Sequence, residues 1–174
     1  MTHILEKQPI DKNFLSQLDF KFWMKRAPHV NFFLQRVNIP QMNLPDWKQP
    51  TPFVQIPYPG DHIDYSPLII EFKIDEEFEN YMEIQNWITA LGFPKEFEQY
   101  KELHDHPIIS GEGIRSDITL TVLTSGKRPN FEIVFYDCIP TSLSNIVFDT
   151  TAKDTEYLEA MATFSYLYYT FERI

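Results

Sequence analysis

The chain has 174 residues, 43% hydrophobic and 16% aromatic, enough apolar content to pack one domain and too much for a disordered chain. A formal net charge of −10 argues against a reader that grips nucleic-acid phosphates along a basic stripe. One cysteine, Cys138, leaves no intrachain disulfide, and no apolar run reaches the roughly eighteen residues of a membrane helix.

Thirteen prolines against five glycines predict stiff connections between strands. The charge is uneven. Residues 1–48 carry seven Lys/Arg against four Asp/Glu, and residues 71–105 carry three against ten. Residues 1–18 read as an arm whose Ile10, Phe14, Leu15 and Leu18 can dock on a neighbour. Charges at Glu6, Lys7, Asp11 and Lys12 leave no signal-peptide core, so an intracellular, reducing origin is expected. Cys138 sits in an apolar run and reads as an inert buried thiol. Residues 19–174 read as a single domain.

Within it, Asp19–Arg26 alternates partly and predicts a strand. Ala27-Pro28-His29 reads as a turn and Asn31–Asn38 as the next strand. Residues 39–52 are rich in Pro, Asn and Gln, and the residue before each proline is held extended. Phe53–Pro57 reads as a short edge strand, Pro59-Gly60-Asp61 as a turn, and Leu68–Ile74 as a strong strand with Ile70, Phe72 and Ile74 on one face. Asp75 then reads as an N-cap, with Glu76 and Glu77 at the positive end of a helix dipole. Phe78, Tyr81, Ile84, Ile88 and Leu91 form its apolar stripe, widened by Met82 and Trp87, and Gly92 and Pro94 stop it. A short helix over 95–102 and a loop over 103–115 follow. Ser116–Thr124 alternates with Ile118, Leu120 and Val122 on one side, and Ser125–Asn130 closes a hairpin onto Phe131–Tyr136. A Pro140-Thr141 turn, a strand over Leu143–Asp149 and a last strand over Tyr157–Glu172 complete a β-rich chain with one principal helix.

Chemistry-bearing clusters are weak. His104-Asp105-His106 has metal-like ligand types but no third or fourth ligand in view, and an ordinary polar loop is favoured. Glu76, Glu77, Glu79 and Glu83 share one solvated helical surface rather than facing across a cleft, which suits a charged face or a basic partner better than glycosidase chemistry. Ser110-Gly111-Glu112-Gly113 lacks a hydrolase elbow, and Ser125-Gly126-Lys127-Arg128 is too short for a phosphate loop. No catalytic residue, metal site or cofactor is predicted. Trp23, Phe32, Tyr166 and Tyr168 could stack on bases, but packing in a core or subunit interface is the stronger reading.

The order of elements resembles the tail-tube proteins of contractile phages. Phe20–Lys25 and Asn31–Ile39 before Pro40 look like that family's opening hairpin. Thr51–Ile56 and Asp64–Asp75 look like its long second hairpin. Phe78–Leu91, with Asn86-Trp87-Ile88, looks like its helix. Phe131–Thr141, Asn145–Asp149 and Thr163–Phe171 look like its closing strands. The resemblance implies an antiparallel β-sandwich or half-barrel flanked by one helix, and not an enzyme. Six copies would join sheets edge to edge into stacked rings, a virion tail tube or a tube-like baseplate ring that lets DNA pass during ejection without gripping it. It implies subunit contacts at Phe20, Phe22, Trp23, Phe164, Tyr166 and Tyr168, and an arm over 1–18 reaching an adjacent ring. Glu76, Glu77, Glu79 and Glu83 would meet a sheath or adaptor, and the other partners would be baseplate-hub or tube-initiator proteins. The tube of a contractile injection system without DNA passage is the near alternative. A metal-dependent enzyme using His104 and His106, or a soluble adaptor for a basic partner, are the distant ones.

Overall fold

A computed structural model describes residues 14–92, 101, 113–151 and 157–174. The short helix expected over 95–102, the His104-Asp105-His106 cluster and most of the 1–18 arm lie outside the described residues, apart from Lys101, which is helical.

The core is built by strands that alternate as their sequences do. In β7 (Leu68–Lys73) Leu68, Ile70 and Phe72 are buried while Ile69, Glu71 and Lys73 are half-covered. In β8 (Ser116–Leu123) Ile118, Leu120 and Val122 are buried. With β1 (Phe20–Met24), β2 (Leu34–Val37), β9 (Pro129–Leu143), β10 (Glu159–Ser165) and β11 (Tyr169–Arg173) they make one antiparallel sheet in the order β1-β8-β9-β10-β7-β2, with β11 also on β9.

The sheet turns its corner at β9. Its first half lies between β8 and β11, and its second half pairs with β10. At the junction Asp137 adopts a left-handed φ of 58°, and its amide donates to Asp117 Oδ1 at 3.0 Å. The register against β8 slips there. Such a bulge bends a strand and lets it serve two sheet directions. The two limbs enclose Phe22, Met24, Phe135, Phe72 and Phe164, so the half-barrel expected from the resemblance is the observed architecture. Cys138 lies beside the bend, fully buried, and burial pushes its thiol up to about 12, which makes it an inert packing group.

Several boundaries differ from the sequence expectation. Residues 31–38 are not one strand, because Pro28–Phe33 form a short helix, α1, and only Leu34–Val37 are extended. Pro28 stands at the first turn, where its missing N–H costs nothing, and Val30 is buried under the sheet. Pro140-Thr141 is no turn, since β9 runs straight through it. Pro140 pairs with Phe164 on one side and lies beyond Cys138, where β8 begins, so no ladder bond is asked of it. Residues 144–149 carry no strand. The last run is two strands, β10 and β11, broken at 166–168. The ladder still carries across the break, since Tyr136 N–H donates to Tyr168 C=O at 3.1 Å.

The principal helix, α2, spans Glu79–Gly92, and Asp75 does not cap it. The chain turns through Phe78, at φ 62°, whose carbonyl accepts the Met82 amide at 3.0 Å. The cause is Asn80, fully buried. Its side chain donates to Lys73 C=O at 2.8 Å and accepts from Asp75 N–H at 3.4 Å, tying the helix start back to the end of β7.

One part leaves the body. β4 (Asp46–Pro50) and β5 (Gln55–Pro59) pair only with each other, and β3 (Met42–Asn43) pairs with β6 (Asp64–Tyr65) below them. All ten residues of β4 and β5 are exposed. The ribbon bends where Gly60 N–H donates to Pro45 C=O at 2.7 Å, and a Cβ at Gly60 would lie 2.4 Å from that oxygen. Its two feet are pinned by phenols: Tyr169 donates to Pro40 C=O at 3.3 Å and Tyr166 to Ser66 C=O at 2.8 Å.

Candidate subunit interface

The limb β1-β8-β9-β11 has four strands and two open sides. Among the described residues nothing pairs with the outer side of β1 or of β11. The backbone pattern fixes which groups are left over. Antiparallel neighbours exchange bonds at every second residue. Ile174 N–H donates to Asn130 C=O at 3.2 Å and Tyr136 N–H to Tyr168 C=O at 3.1 Å, so Thr170 and Glu172 also face β9. Tyr169, Phe171 and Arg173 therefore turn their amides and carbonyls outward. On the other side Leu123 N–H donates to Asp19 C=O at 3.0 Å, so Lys21 and Trp23 bond β8, and Phe20, Phe22 and Met24 face away. Met24 is already taken, its N–H donating to Asn31 Oδ1 at 2.9 Å and its carbonyl accepting from Asn31 Nδ2 at 3.1 Å. The open stretch of β1 is thus Phe20 to Phe22.

Beside that stretch lies a cavity of about 600 Å³ between β1 and α1, where Leu18, Phe20, Phe22, Phe32 and Leu34 alternate with polar groups of Lys21, Asn31, Gln35 and Thr121. Unpaired backbone groups on an edge strand, with exposed aromatic side chains beside them, are a template for pairing with another chain. The edge of β11 is apolar too, with Phe171 58% exposed and Ile174 at the chain end.

The residues expected at a subunit contact divide. Phe164 is fully buried, 6.0 Å from the Trp87 ring, and has no surface to offer a neighbour. Phe22 is nearly covered and touches the outside only through its backbone and the groove. Tyr166 is committed inward, its phenol bonded to Ser66 and raised in pKa by burial. Phe20 lines the groove, Trp23 is 58% exposed on the uncovered face of the sheet, and Tyr168 stacks on Tyr136 at 4.8 Å. The sequence reading did not name Phe171 and Arg173, whose backbone groups turn outward from β11. The signal was present, because a strand of alternating apolar residues near the chain end has to find two neighbours or one.

The uncovered face carries rows that cross all four strands. One runs Lys21, Thr121, Glu132, Glu172, and the next runs Trp23, Thr119, Val134, Thr170. With Asp117 it holds three carboxylates against one lysine.

The four acidic residues expected to meet a sheath do not form one free surface. Glu76 and Glu77 are exposed. Glu83 and Glu79 hold His29 of α1, at 2.6 Å to Nδ1 and 3.2 Å to Nε2. The hydrogen bond His29 donates to Glu83, and then the charge of Glu83, raises the His29 pKa, with Glu79 and Asp75 adding to it. Desolvation raises that of Glu83. A raised imidazole contributes stability that is fully present below its ordinary value of 6.5 and is lost as pH rises through the folded value. We expect a small fall in melting temperature across that window that His29→Gln removes, and an NMR titration of His29 with its midpoint above 6.5. A midpoint at or below 6.5 would refute the latch.

Among the described residues no group of three or more His, Cys, Asp or Glu side chains is placed to hold a metal, and no helix is long and apolar enough to cross a membrane.

No family model matches the chain, and no curated protein matches it. Solved structures do. A chain of the anti-feeding prophage baseplate superposes with a TM-score of 0.63 at 10% identity, over 94% of this chain and 97% of that one. A chain of the anti-feeding prophage cap, which terminates its tube, gives 0.60 at 12% identity over 98% and 99%. One from the sheath–tube complex of an extracellular contractile injection system gives 0.57 at 12% identity over 94% of each. The fold is therefore that of the tail-tube proteins, as the order of strands predicted, shared along nearly the whole length with tube, cap and baseplate components.

Proposed function

We propose that this protein is a ring-forming structural subunit of a contractile injection particle, in its tube or in a tube-like cap or baseplate ring. The observation that carries the reading is the pair of open edges on one four-stranded sheet. β1 is antiparallel to β8, β8 to β9 and β9 to β11, so the two edge strands run in opposite directions. Set head to tail, β11 of one copy meets β1 of the next antiparallel, and the ladder continues without a break. Such a contact joins two different patches, so it closes into a ring or winds into a filament. Closure leaves the four-stranded limb no edge, while β2 stays the edge of the other limb.

The same joint brings Phe171 to the groove beside β1, next to its apolar members Phe20, Phe22, Phe32 and Leu34. Six copies, the number the fold resemblance suggests, would set about 24 strands around the axis. At about 4.8 Å per strand the wall has a backbone diameter of at least about 37 Å, larger once the strands tilt as barrel strands do. That is wider than an α-helix with its side chains, which is about 10–12 Å across. The uncovered face, with three carboxylates against one lysine per copy, would line the channel, and it would repel DNA rather than hold it. That face is the observation in favour of the phage-tail reading, in which the ring sits in the virion and conducts DNA during ejection. The ribbon β4–β5, exposed on both faces and carrying the stacked Trp47–Tyr58 pair at 4.9 Å, is the element to reach an adjacent ring, since a lone two-stranded ribbon is marginal in water. Glu76 and Glu77 remain the candidates for contact with a sheath or adaptor.

Electron microscopy of the purified chain at high concentration, with mass measurement in solution, tests the reading. Rings with a central hole, alone or stacked, are expected. A strictly monomeric species, both alone and with its assembly partners, would refute it.

A further inference from the structure

We infer that the joint is held in one register by an ion pair, Glu172 on β11 of one copy facing Lys21 on β1 of the next. The inference rests on the edge-to-edge ring proposed above and adds its partner residues and alignment.

Three observations converge on that alignment. The first is parity. The outward backbone groups are on Phe20 and Phe22 in β1 and on Tyr169, Phe171 and Arg173 in β11, so even residues of one strand must meet odd residues of the other. The same parity puts core face on core face, since Phe22 and Phe171 belong to one row with Leu120 and Ile133. The second is the Asn31 cap. With Met24 already bonded, only Phe20 and Phe22 are free to exchange bonds. Setting Phe171 opposite Phe22 and Arg173 opposite Phe20 uses both. A slip that sets Arg173 opposite Phe22 carries Glu172 past Lys21 to Trp23, where it meets no cation.

Charge decides between the remaining alignments. With Phe171 opposite Phe22, Glu172 faces Lys21 and Thr170 faces Trp23. Slipping two residues the other way puts Phe171 opposite Phe20 and sets Glu172 against Asp19, a like-charge pair. Within the chain Glu172 lies directly across from Glu132, which destabilises the pair. Among the described residues neither Glu172 nor Lys21 takes part in an ion pair. The lysine of the next copy ends the row Lys21, Thr121, Glu132, Glu172 with the charge that the two glutamates lack, and the row then repeats around the wall. The pair falls at a non-hydrogen-bonded position, where facing side chains come closest. It makes the joint selective as well as attractive, because the slipped register is repelled.

Two experiments on the full chain test it. Lys21→Glu alone, or Glu172→Lys alone, is expected to raise the concentration for half-assembly by about tenfold or more, and the double exchange to restore it to within about threefold of the parent. Because a reversal on an edge strand could also disturb folding, paired cysteines give a second reading. Lys21→Cys with Glu172→Cys, at a Cα separation of about 4.5 Å, lies within disulfide reach and is expected to link copies under mild oxidation, while Lys21→Cys with Thr170→Cys is not. If the parent forms no rings, the functional reading itself fails. If rings form and the slipped pair links instead, or the exchange rescues nothing, the register is overturned while the ring stands.

Discussion

Proline in place of Phe171 is expected to leave a folded monomer that no longer closes into rings. Phe171 sits mid-way along β11, opposite Ile133, with its amide turned away from β9. The ladder inside the chain therefore loses no donor, and an edge position with an outward amide is where a sheet tolerates proline. The joint between copies loses far more. The Phe22 carbonyl of the next copy is left without its donor, at a cost of about 1–3 kcal/mol once water is excluded. The ring that would fill the groove beside Phe20, Phe32 and Leu34 is gone as well, worth about 1.5–3 kcal/mol if fully buried. Both losses recur at every joint of a closed ring, so assembly should vanish at concentrations where the parent is fully assembled. Sedimentation and electron microscopy read the outcome. The control is Thr170→Pro, whose amide does face β9 and whose substitution should lower the melting temperature of the monomer much further. Rings persisting in the Phe171→Pro variant would mean that β11 is not the joining edge.

Parts of the fold could be read from residue order because one physical signal acted alone there. β7 and β8 sit with one face in the core, so Leu68, Ile70, Phe72 and Ile118, Leu120, Val122 advertise themselves by strict alternation. Where two signals competed, the reading went astray. Pro140 has the local look of a turn, yet it lies past the end of β8, where its missing N–H costs nothing. Pro28 looked like a chain reversal and instead opens a helix, because Val30 has a pocket beneath the sheet. In α2 Ile84 and Trp87 are buried and Tyr81, Ile88 and Leu91 pack half-buried on the core, as expected, while Met82 is exposed and Asn80 and Ala90 are buried outside the expected stripe. A polar Asn80 at the stripe's start could not be found from hydropathy, since its burial depends on backbone groups of Lys73 and Asp75 that only the folded turn brings near.

The candidate interface was half legible for a related reason. An edge strand and a central strand share the same alternation, so pattern alone could not separate Phe164, which is central and buried, from Phe171, which lies on an edge. β4 was missed because Pro50 and its exposed neighbours carry no core signal. What the order of elements did carry was the topology, and topology places β1 and β11 at opposite sides of one limb.

Trp87→Ala should be the most damaging single change to the folded subunit. The indole is 2% exposed and joins three parts of the molecule. Its Nε1–H donates to Ile114 C=O at 3.1 Å, its ring packs 6.0 Å from Phe164 of β10, and the Arg26 guanidinium that follows β1 lies 5.2 Å above it. Arg26 in turn donates to Gly113 C=O. Truncation opens a large cavity and leaves the Ile114 carbonyl unpaired, together a loss of about 3–5 kcal/mol. Against a typical total of about 5–15 kcal/mol, that is a fall in melting temperature of about 10–15 °C for a chain of this length. Trp87→Phe fills most of the space and loses only the donor, so about 1–2 kcal/mol is expected. Chemical denaturation of both variants separates the contributions. A loss below about 2 kcal/mol for the alanine variant would mean that the helix is not the keystone between the two limbs. Because Arg26 continues from β1 into α1, the same truncation should also loosen the open stretch from Phe20 to Phe22. The alanine variant should then assemble more weakly even at temperatures where it remains folded, whereas a purely local packing role would leave assembly unchanged.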